Sequence, residues 1–300
     1  MSDSRNSGRH LEQAKAGRSV ANSAQGAELT IDRLFDAPAL AGPSIVGLKI
    51  SPDGLRVTYL KGKLADKDRL DLWEYDLHTG ANRLLVDCNE LSPSGRPLSD
   101  EERARRERQR TAALSGIVEY TFAPKVDALL FPLNGELYYY QLSSVRASRS
   151  AELIPTSGPI TNATVSPRGT YVAYVREQNL VIFNLRSKQE KALTTDGGGV
   201  IKNGMAEFVA QEEMGRDTGY WWAPDERRVA FARLDETPVK LTQRFEIDTD
   251  NVTTFAQRYP EAGGHNVLVQ LGVADLASDA VTWIDLGTER DIYLDRKSVV

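Results

Sequence analysis

The stretch VAQEEMGRDTGYWWAPD, residues 209–225, sets two glutamates side by side, Glu212 and Glu213, ahead of a Gly-Arg-Asp-Thr-Gly run and a pair of tryptophans. Ionised carboxylates carry negative charge and only accept hydrogen bonds, so the chemistry open to such a pair is the binding of a cation. The dipeptide alone decides nothing, because the chain has 42 acidic residues and a second pair at Glu101-Glu102. Successive side chains on a strand point to opposite faces, so both carboxylates can converge on one ligand only where the backbone leaves the strand. A short helical turn or bulge is therefore predicted at 210–215. Two close carboxylates also repel, which would raise one pKa, and a nearby arginine is needed to keep both ionised.

The segment LSDEERARRERQRTAALSG, 98–116, offers candidates. Ser99 stands three residues before Glu102, a capping-box pattern, and strong helix formers carry the pattern on to Gly116. The spacing predicts one arginine-rich helix inserted in a β-rich chain. Arg103, Arg106 and Arg110 fall at i, i+3 and i+7 on one stripe, with Arg105 and Arg108 pointing elsewhere. A helix this charged is ordinarily a solvated face, and its place as an insertion is what marks it out.

Composition narrows the ligand. The 300 residues are 41% hydrophobic and 26% charged, the balance of an ordinary globular protein. A formal net charge of −5 gives no general attraction for nucleic acid or a lipid membrane and fits a cationic ligand better. Cys88 is the single cysteine, and His10, His78 and His265 lie far apart, so no disulfide, metal site or cofactor is expected. Cys88 reads as a small apolar side chain. No apolar run reaches the roughly 18–20 residues of a membrane-spanning helix. Residues 1–28 are polar and rich in Ser, Gly and Ala, without the apolar region of a secretory signal; they read as a disordered tail and leave the compartment open.

From Leu29 onward the pattern is short apolar runs between turns, and one turn returns: Ser-Pro-Asp-Gly at 51–54, Ala-Pro-Lys at 123–125, Ser-Pro-Arg-Gly at 166–169 and Ala-Pro-Asp-Glu at 223–226. Each precedes an alternating run, the mark of a half-buried strand, and proline at the second position presets the turn's dihedral. A second unit, strand, Asp/Asn-Leu, polar turn and strand, recurs at 72–86, 180–194 and 271–285. Together they predict an all-β fold, an incomplete β-propeller of about four to five blades.

The stretch Glu207-Phe-Val-Ala-Gln-Glu-Glu-Met, with Tyr220-Trp-Trp-Ala-Pro-Asp225 after it and Tyr259-Pro-Glu-Ala-Gly263 further on, resembles the N-terminal propeller of dipeptidyl peptidase IV and its relatives. The arginine-rich insertion resembles the arginine-bearing helix of bacterial members and of the cytosolic dipeptidyl peptidases. The resemblance covers residues 29–294. It implies a propeller stacked on a C-terminal α/β-hydrolase domain with a Ser-Asp-His triad, in a parent that removes N-terminal dipeptides and can be homodimeric. It further implies that Glu212 and Glu213 bind the free α-ammonium of a peptide, with Arg106, and Arg110 after it, reaching them from the helix. The run Arg106-Glu-Arg-Gln-Arg110 matches the family's Arg-Glu-Arg-x-Arg. Gln211 stands where relatives often carry a third acid, and little consequence is expected. An α-amine with a pKa near 8 is largely protonated at neutral pH and offers three donors. Anchoring it also acts as a ruler, since two extended residues span at most roughly 7 Å. Trp221 and Trp222 read as core of the following strand rather than as substrate contacts.

A nucleophile elbow G-x-S-x-G does not occur, and no late Asp and His follow at triad-like distances. The catalytic domain is therefore expected to be missing and the chain alone to hydrolyse nothing. Residues 295–300, DRKSVV, do not continue the blade pattern and read as a non-native end. The competing reading is a stand-alone TolB-like propeller acting as a protein-binding module, which has no need of the glutamate pair or the arginine helix.

Overall fold

Each recurring proline turn folds one strand back on the next. In the computed structural model, which describes residues 29–36, 40–91, 96–142, 151–247 and 249–295, Gly54 N–H donates to Ser51 O at 2.9 Å with φ at +70°. The turn at 166–169 repeats this, Gly169 N–H donating to Ser166 O at 3.0 Å. The expected tail at 1–28 and, apart from Asp295, the expected non-native end lie outside the described residues.

After the short helix α1 (Ile31–Phe35), the first turn joins β1 (Ile45–Ile50) to β2 (Arg56–Gly62). β3 (Arg69–Asp76) and β4 (Asn82–Val86) complete an antiparallel sheet in the order β1-β2-β3-β4. The helices α2 (Cys88–Leu91) and α3 (Asp100–Arg108) follow, and β5 (Ser115–Gly116) then returns to lie parallel beside β3. The second sheet is β6 (Thr121–Phe122), β7 (Ala128–Leu133), β8 (Glu136–Gln141) and β9 (Ala151–Ile154); the third is β10 (Thr161–Val165), β11 (Tyr171–Arg176), β12 (Asn179–Asn184) and β13 (Glu190–Ala192), both in sequence order. In the fourth, β14 (Ile201–Asn203) and β15 (Tyr220–Trp222), separated by α4 (Phe208–Glu212), both pair with β16 (Arg228–Asp235). A separate hairpin, β17 (Leu241–Ile247) with β18 (Val252–Arg258), intervenes before β19 (Leu268–Asp275) and β20 (Val281–Trp283) complete that sheet.

The second recurring unit closes the same way in the first, third and fourth sheets. Asp76, Asn184 and Asp275 each accept from the backbone N–H groups two and three residues on, an Asx-type turn that a short polar side chain builds without glycine.

Period two, with both faces buried, is what stacks the sheets. On the third sheet Val172, Tyr174, Val181 and Phe183 pack with Ala128, Leu130, Leu137 and Ile154 of the second. The alternate residues Ala173, Val175, Leu180 and Ile182 pack with Val229, Phe231, Leu234 and Val269 of the fourth. Leu129, Phe131, Tyr138 and Tyr140, on the other face of the second sheet, meet Leu60, Leu70, Leu72 and Val86 of the first. Successive four-stranded meanders packed face to face are propeller blades. Trp222 belongs to this core, stacked on Tyr171 with ring centroids 5.8 Å apart, while Trp221 is half-buried beside it.

The inserted helix starts where expected, Ser99 Oγ accepting from Glu102 N–H at 3.1 Å, but ends at Arg108 rather than near Gly116. Arg110 takes a left-handed φ of +57°, and Thr111 N–H donates to Arg106 O at 2.8 Å, closing the last turn. Arg110 therefore lies past the helix end, off the stripe that contains Arg103 and Arg106. The tertiary demand is β5: a Cβ on Gly116 would come within 2.4 Å of Leu70 O, so the chain must leave the helix to make this close approach.

Candidate functional site

The glutamate pair sits on an excursion from a strand. Ala232 N–H donates to Gly219 O at 2.7 Å, and Gly204 N–H donates to Ala232 O at 2.9 Å. Gly204 and Gly219 thus flank Ala232 much as neighbours in one strand would, and residues 205–218 are looped out between β14 and β15. Met205 and Thr218 form a bridge at the base of the loop. A Cβ on Gly219 would stand 2.0 Å from Met205 O, so only glycine lets the two limbs approach this closely. Inside the loop, α4 puts Glu212 on its last turn and Glu213 at its C-cap, where Glu213 N–H donates to Val209 O. This matches the helical turn expected at 210–215, begun two residues earlier. Both carboxylates are exposed.

Two other excursions meet this loop at Phe208. The guanidinium of Arg108, the last residue of α3, lies 4.9 Å from the Phe208 ring centroid, and Tyr259, just beyond β18, meets the same ring edge-on at 5.1 Å. Arg108 NH1 also donates to Gln211 Oε1 at 2.7 Å, while Gln211 Nε2 donates to Ala206 O at 2.7 Å. Gln211 is buried, and both ends of its amide are used. Burial pulls the Arg108 guanidinium below the ordinary arginine range, and the negative charge of Glu212 works against this. Between α3 and the β17–β18 hairpin lies a cleft of about 890 Å³, whose walls include Arg103, Arg106, Arg108, Lys202, Thr254 and Arg258.

A buried ion network seats α3. Glu102 is 2% exposed; it accepts from Arg105 Nε and NH2, both at 2.9 Å, from Arg106 Nε at 2.8 Å, and from Thr161 Oγ1 of β10 at 2.6 Å. Arg105 continues to Glu119, NH1 donating to Oε2 at 3.0 Å. Burial alone would raise the Glu102 carboxyl; Arg105, Thr161 and Arg106 outweigh it and hold the group below its ordinary range. Burial likewise opposes the charge on Arg105, and Glu119 and Glu102 more than restore it.

The helix thus divides its arginines differently from the expected stripe. Arg106, expected to reach the glutamates, gives its Nε to Glu102, an i, i+4 partner visible in the sequence. Arg110 is turned away from the helix by its left-handed backbone. Arg108 is the arginine beside α4, and its signal was hidden because helical phase counted from Arg103 sets it off the stripe. Gln211, expected to matter little, links the two excursions; a carboxylate there could not donate to Ala206 O. Elsewhere, Asp71, Asp87 and Cys88 cluster closely, but Lys63 Nζ already bonds Asp71 and Asp87, each at 2.7 Å. Burial and Asp71 push the Cys88 thiol up to about 11, which keeps it a neutral thiol near neutral pH and disfavours a nucleophilic role.

Comparison with known proteins identifies the family of the chain. The family described as the dipeptidyl peptidase IV (DPP IV) N-terminal region matches residues 120–298. A "Probable dipeptidyl-aminopeptidase B" of Arthroderma gypseum is 32% identical over 165 residues, covering 49% of this chain and 18% of that protein. Dipeptidyl aminopeptidase A of Saccharomyces cerevisiae is 29% identical over 136 residues, 44% of this chain and 15% of the relative. The crystal structure of Porphyromonas gingivalis dipeptidyl peptidase 4 superposes with a TM-score of 0.57 at 22% identity, over 82% of this chain and 33% of that one. The chain spans less than a fifth of the length of these two curated relatives.

Proposed function

The chain belongs to the family of the dipeptidyl peptidase IV N-terminal region, and on that premise we propose that it is the substrate-recognition propeller of a serine dipeptidyl peptidase. In this reading Glu212 and Glu213 bind the α-ammonium of a peptide, and an α/β-hydrolase domain of the same protein supplies the nucleophile. The observation that carries it is the pairing of two exposed carboxylates on one turn with a half-buried arginine, Arg108, alongside. An ammonium has three donors, and two carboxylates can accept them while matching its charge; charge-assisted bonds of this kind are the strong ones. Arg108 takes the part first given to Arg106, keeping positive charge near two acids that would otherwise repel each other. Arg106, which lines the cleft, and Arg110 are left as candidates for contacts further along the peptide. With the amine fixed, the reach of two extended residues determines which peptide bond meets the nucleophile, and exopeptidase specificity follows from geometry.

The test is kcat/KM of the catalytically complete enzyme on a free-amine dipeptidyl substrate. Glu212→Gln and Glu213→Gln keep size but remove the charge; each is expected to cost roughly 2–5 kcal/mol of transition-state binding. A cost below about 0.5 kcal/mol for both, the usual effect of a solvated surface change, would overturn the assignment.

A further inference from the structure

The loop that carries Glu212 and Glu213 is fastened by a buried ion pair. Glu207, at the N-cap of α4, is 3% exposed, and Arg216, beyond the glutamates, is 9% exposed. Arg216 NH2 donates to Glu207 Oε2 at 2.6 Å, and NH1 donates to Thr218 O at 3.1 Å. The guanidinium also lies 5.8 Å from the Trp221 ring centroid. Arg216 N–H donates to Ala210 O at 2.9 Å. The loop is therefore laced by successive rungs: the Met205–Thr218 bridge, the Glu207–Arg216 pair, and the Ala210–Arg216 backbone bond. What remains beyond the last rung is the tip, residues 211–215, with Glu212, Glu213 and a left-handed Gly215.

A buried ion pair is by itself weak evidence of stabilisation. Glu207 Oε1 and Arg216 Nε are both buried and meet no hydrogen-bond partner among the described residues, so part of each ion's desolvation cost is not recovered. Glu207 does not cap α4 with its side chain either. What the pair does achieve is to hold residues 207 and 216 at a fixed separation. That is the span from which the two carboxylates project.

We propose that Glu207 and Arg216 are positioning residues for cation recognition at Glu212 and Glu213: a clasp that fixes the geometry of the tip without touching the ligand. The proposal rests on the amine-binding reading above and deepens it. Removing either partner leaves the other charge buried and uncompensated, so the limbs should part to let in water, and the tip carboxylates should lose their common aim.

The experiment uses the 300-residue chain with two readouts. Hydrogen exchange followed by mass spectrometry reports protection of the backbone across 209–216, and an NMR titration compares a free-amine dipeptide amide with its N-acetylated twin. In Glu207→Gln and Arg216→Met, exchange is expected to accelerate within 209–216 while the stacked sheets stay protected. Affinity for the free-amine ligand should fall at least about threefold, with no change for the acetylated one. Arg216→Lys, which restores the charge but not the fork, should recover part of the loss. Unchanged exchange in 209–216 would overturn the clasp. So would faster exchange with free-amine affinity intact, because the pair would then serve the fold alone. If the unsubstituted chain does not distinguish the two ligands, the amine-binding reading fails and, with it, the positioning role; the exchange data then show separately whether the clasp itself exists.

Discussion

At the scale of single residues, charge is managed by burying arginines against acids on the inserted helix and leaving two acids exposed on the neighbouring turn. Glu102 is the keystone of the buried part, since it takes Arg105, Arg106 and Thr161 at once. Glu102→Gln removes one side of that network and is expected to destabilise the chain by about 3 kcal/mol near neutral pH. The sign of the pH dependence follows from its depressed folded pKa. The contribution is fully present above the unfolded value near 4.5 and is lost as pH falls through the lower folded value. Chemical denaturation of both forms between about pH 2 and 7 checks this: the stability gap should be widest above about pH 5 and close toward pH 2. A gap that does not vary with pH would mean that Glu102 acts by packing rather than by charge. That Glu212 and Glu213 leave the strand on a short helical turn was legible at this scale, as was an arginine-rich helix elsewhere in the chain. Which arginine lies beside that turn was not, because it depends on where the helix sits: Arg108 meets Gln211, while Arg106 gives its Nε to Glu102, four residues before it.

At the scale of elements, the site is built from excursions rather than from the sheets. The loop 205–218, the helix α3 and the segment after β18 meet at Phe208, each inserted into or between otherwise regular meanders. Proline turns, Asx hairpins and the Ser99 cap could all be read from local pattern, because each is decided within four or five residues. The end of α3 could not. Good helix formers continue past Arg108, and only the pairing of β5 with β3 stops them. The looped-out strand was equally hidden, since its two halves are separated by residues 205–218 and are aligned by Ala232 of another strand. Gly219 is where this construction is most exposed to test. Gly219→Ala puts a methyl against Met205 O and is expected to cost roughly 1–3 kcal/mol, the scale of overpacking. Thermal denaturation should show it, together with faster hydrogen exchange at 205–218 ahead of the flanking sheets. An alanine variant as stable as the parent would contradict the close approach of the two limbs.

At the scale of the whole molecule, the fold follows from one rule applied repeatedly: both faces of the middle sheets are apolar, so each is covered by the next. That rule was legible in the alternating runs, and the resemblance to dipeptidyl peptidase IV propellers agrees with it. The outer surfaces depart from it. β1 is exposed along its length, with Ile45, Leu48 and Ile50 between 56% and 64% exposed, and the β17–β18 hairpin exposes Phe245 and Ile247. These apolar surfaces give no pattern in the sequence that separates them from buried strands. The central claim, that the loop at 205–218 receives the amino end of a peptide, is tested most directly by a crystal structure of the chain with a dipeptide amide bound. The predicted result is the ligand's amine nitrogen within hydrogen-bond distance, about 2.7–3.0 Å, of a carboxylate oxygen from each of Glu212 and Glu213. A dipeptide seated instead in the cleft between α3 and the hairpin, with its amine remote from both glutamates, would contradict it.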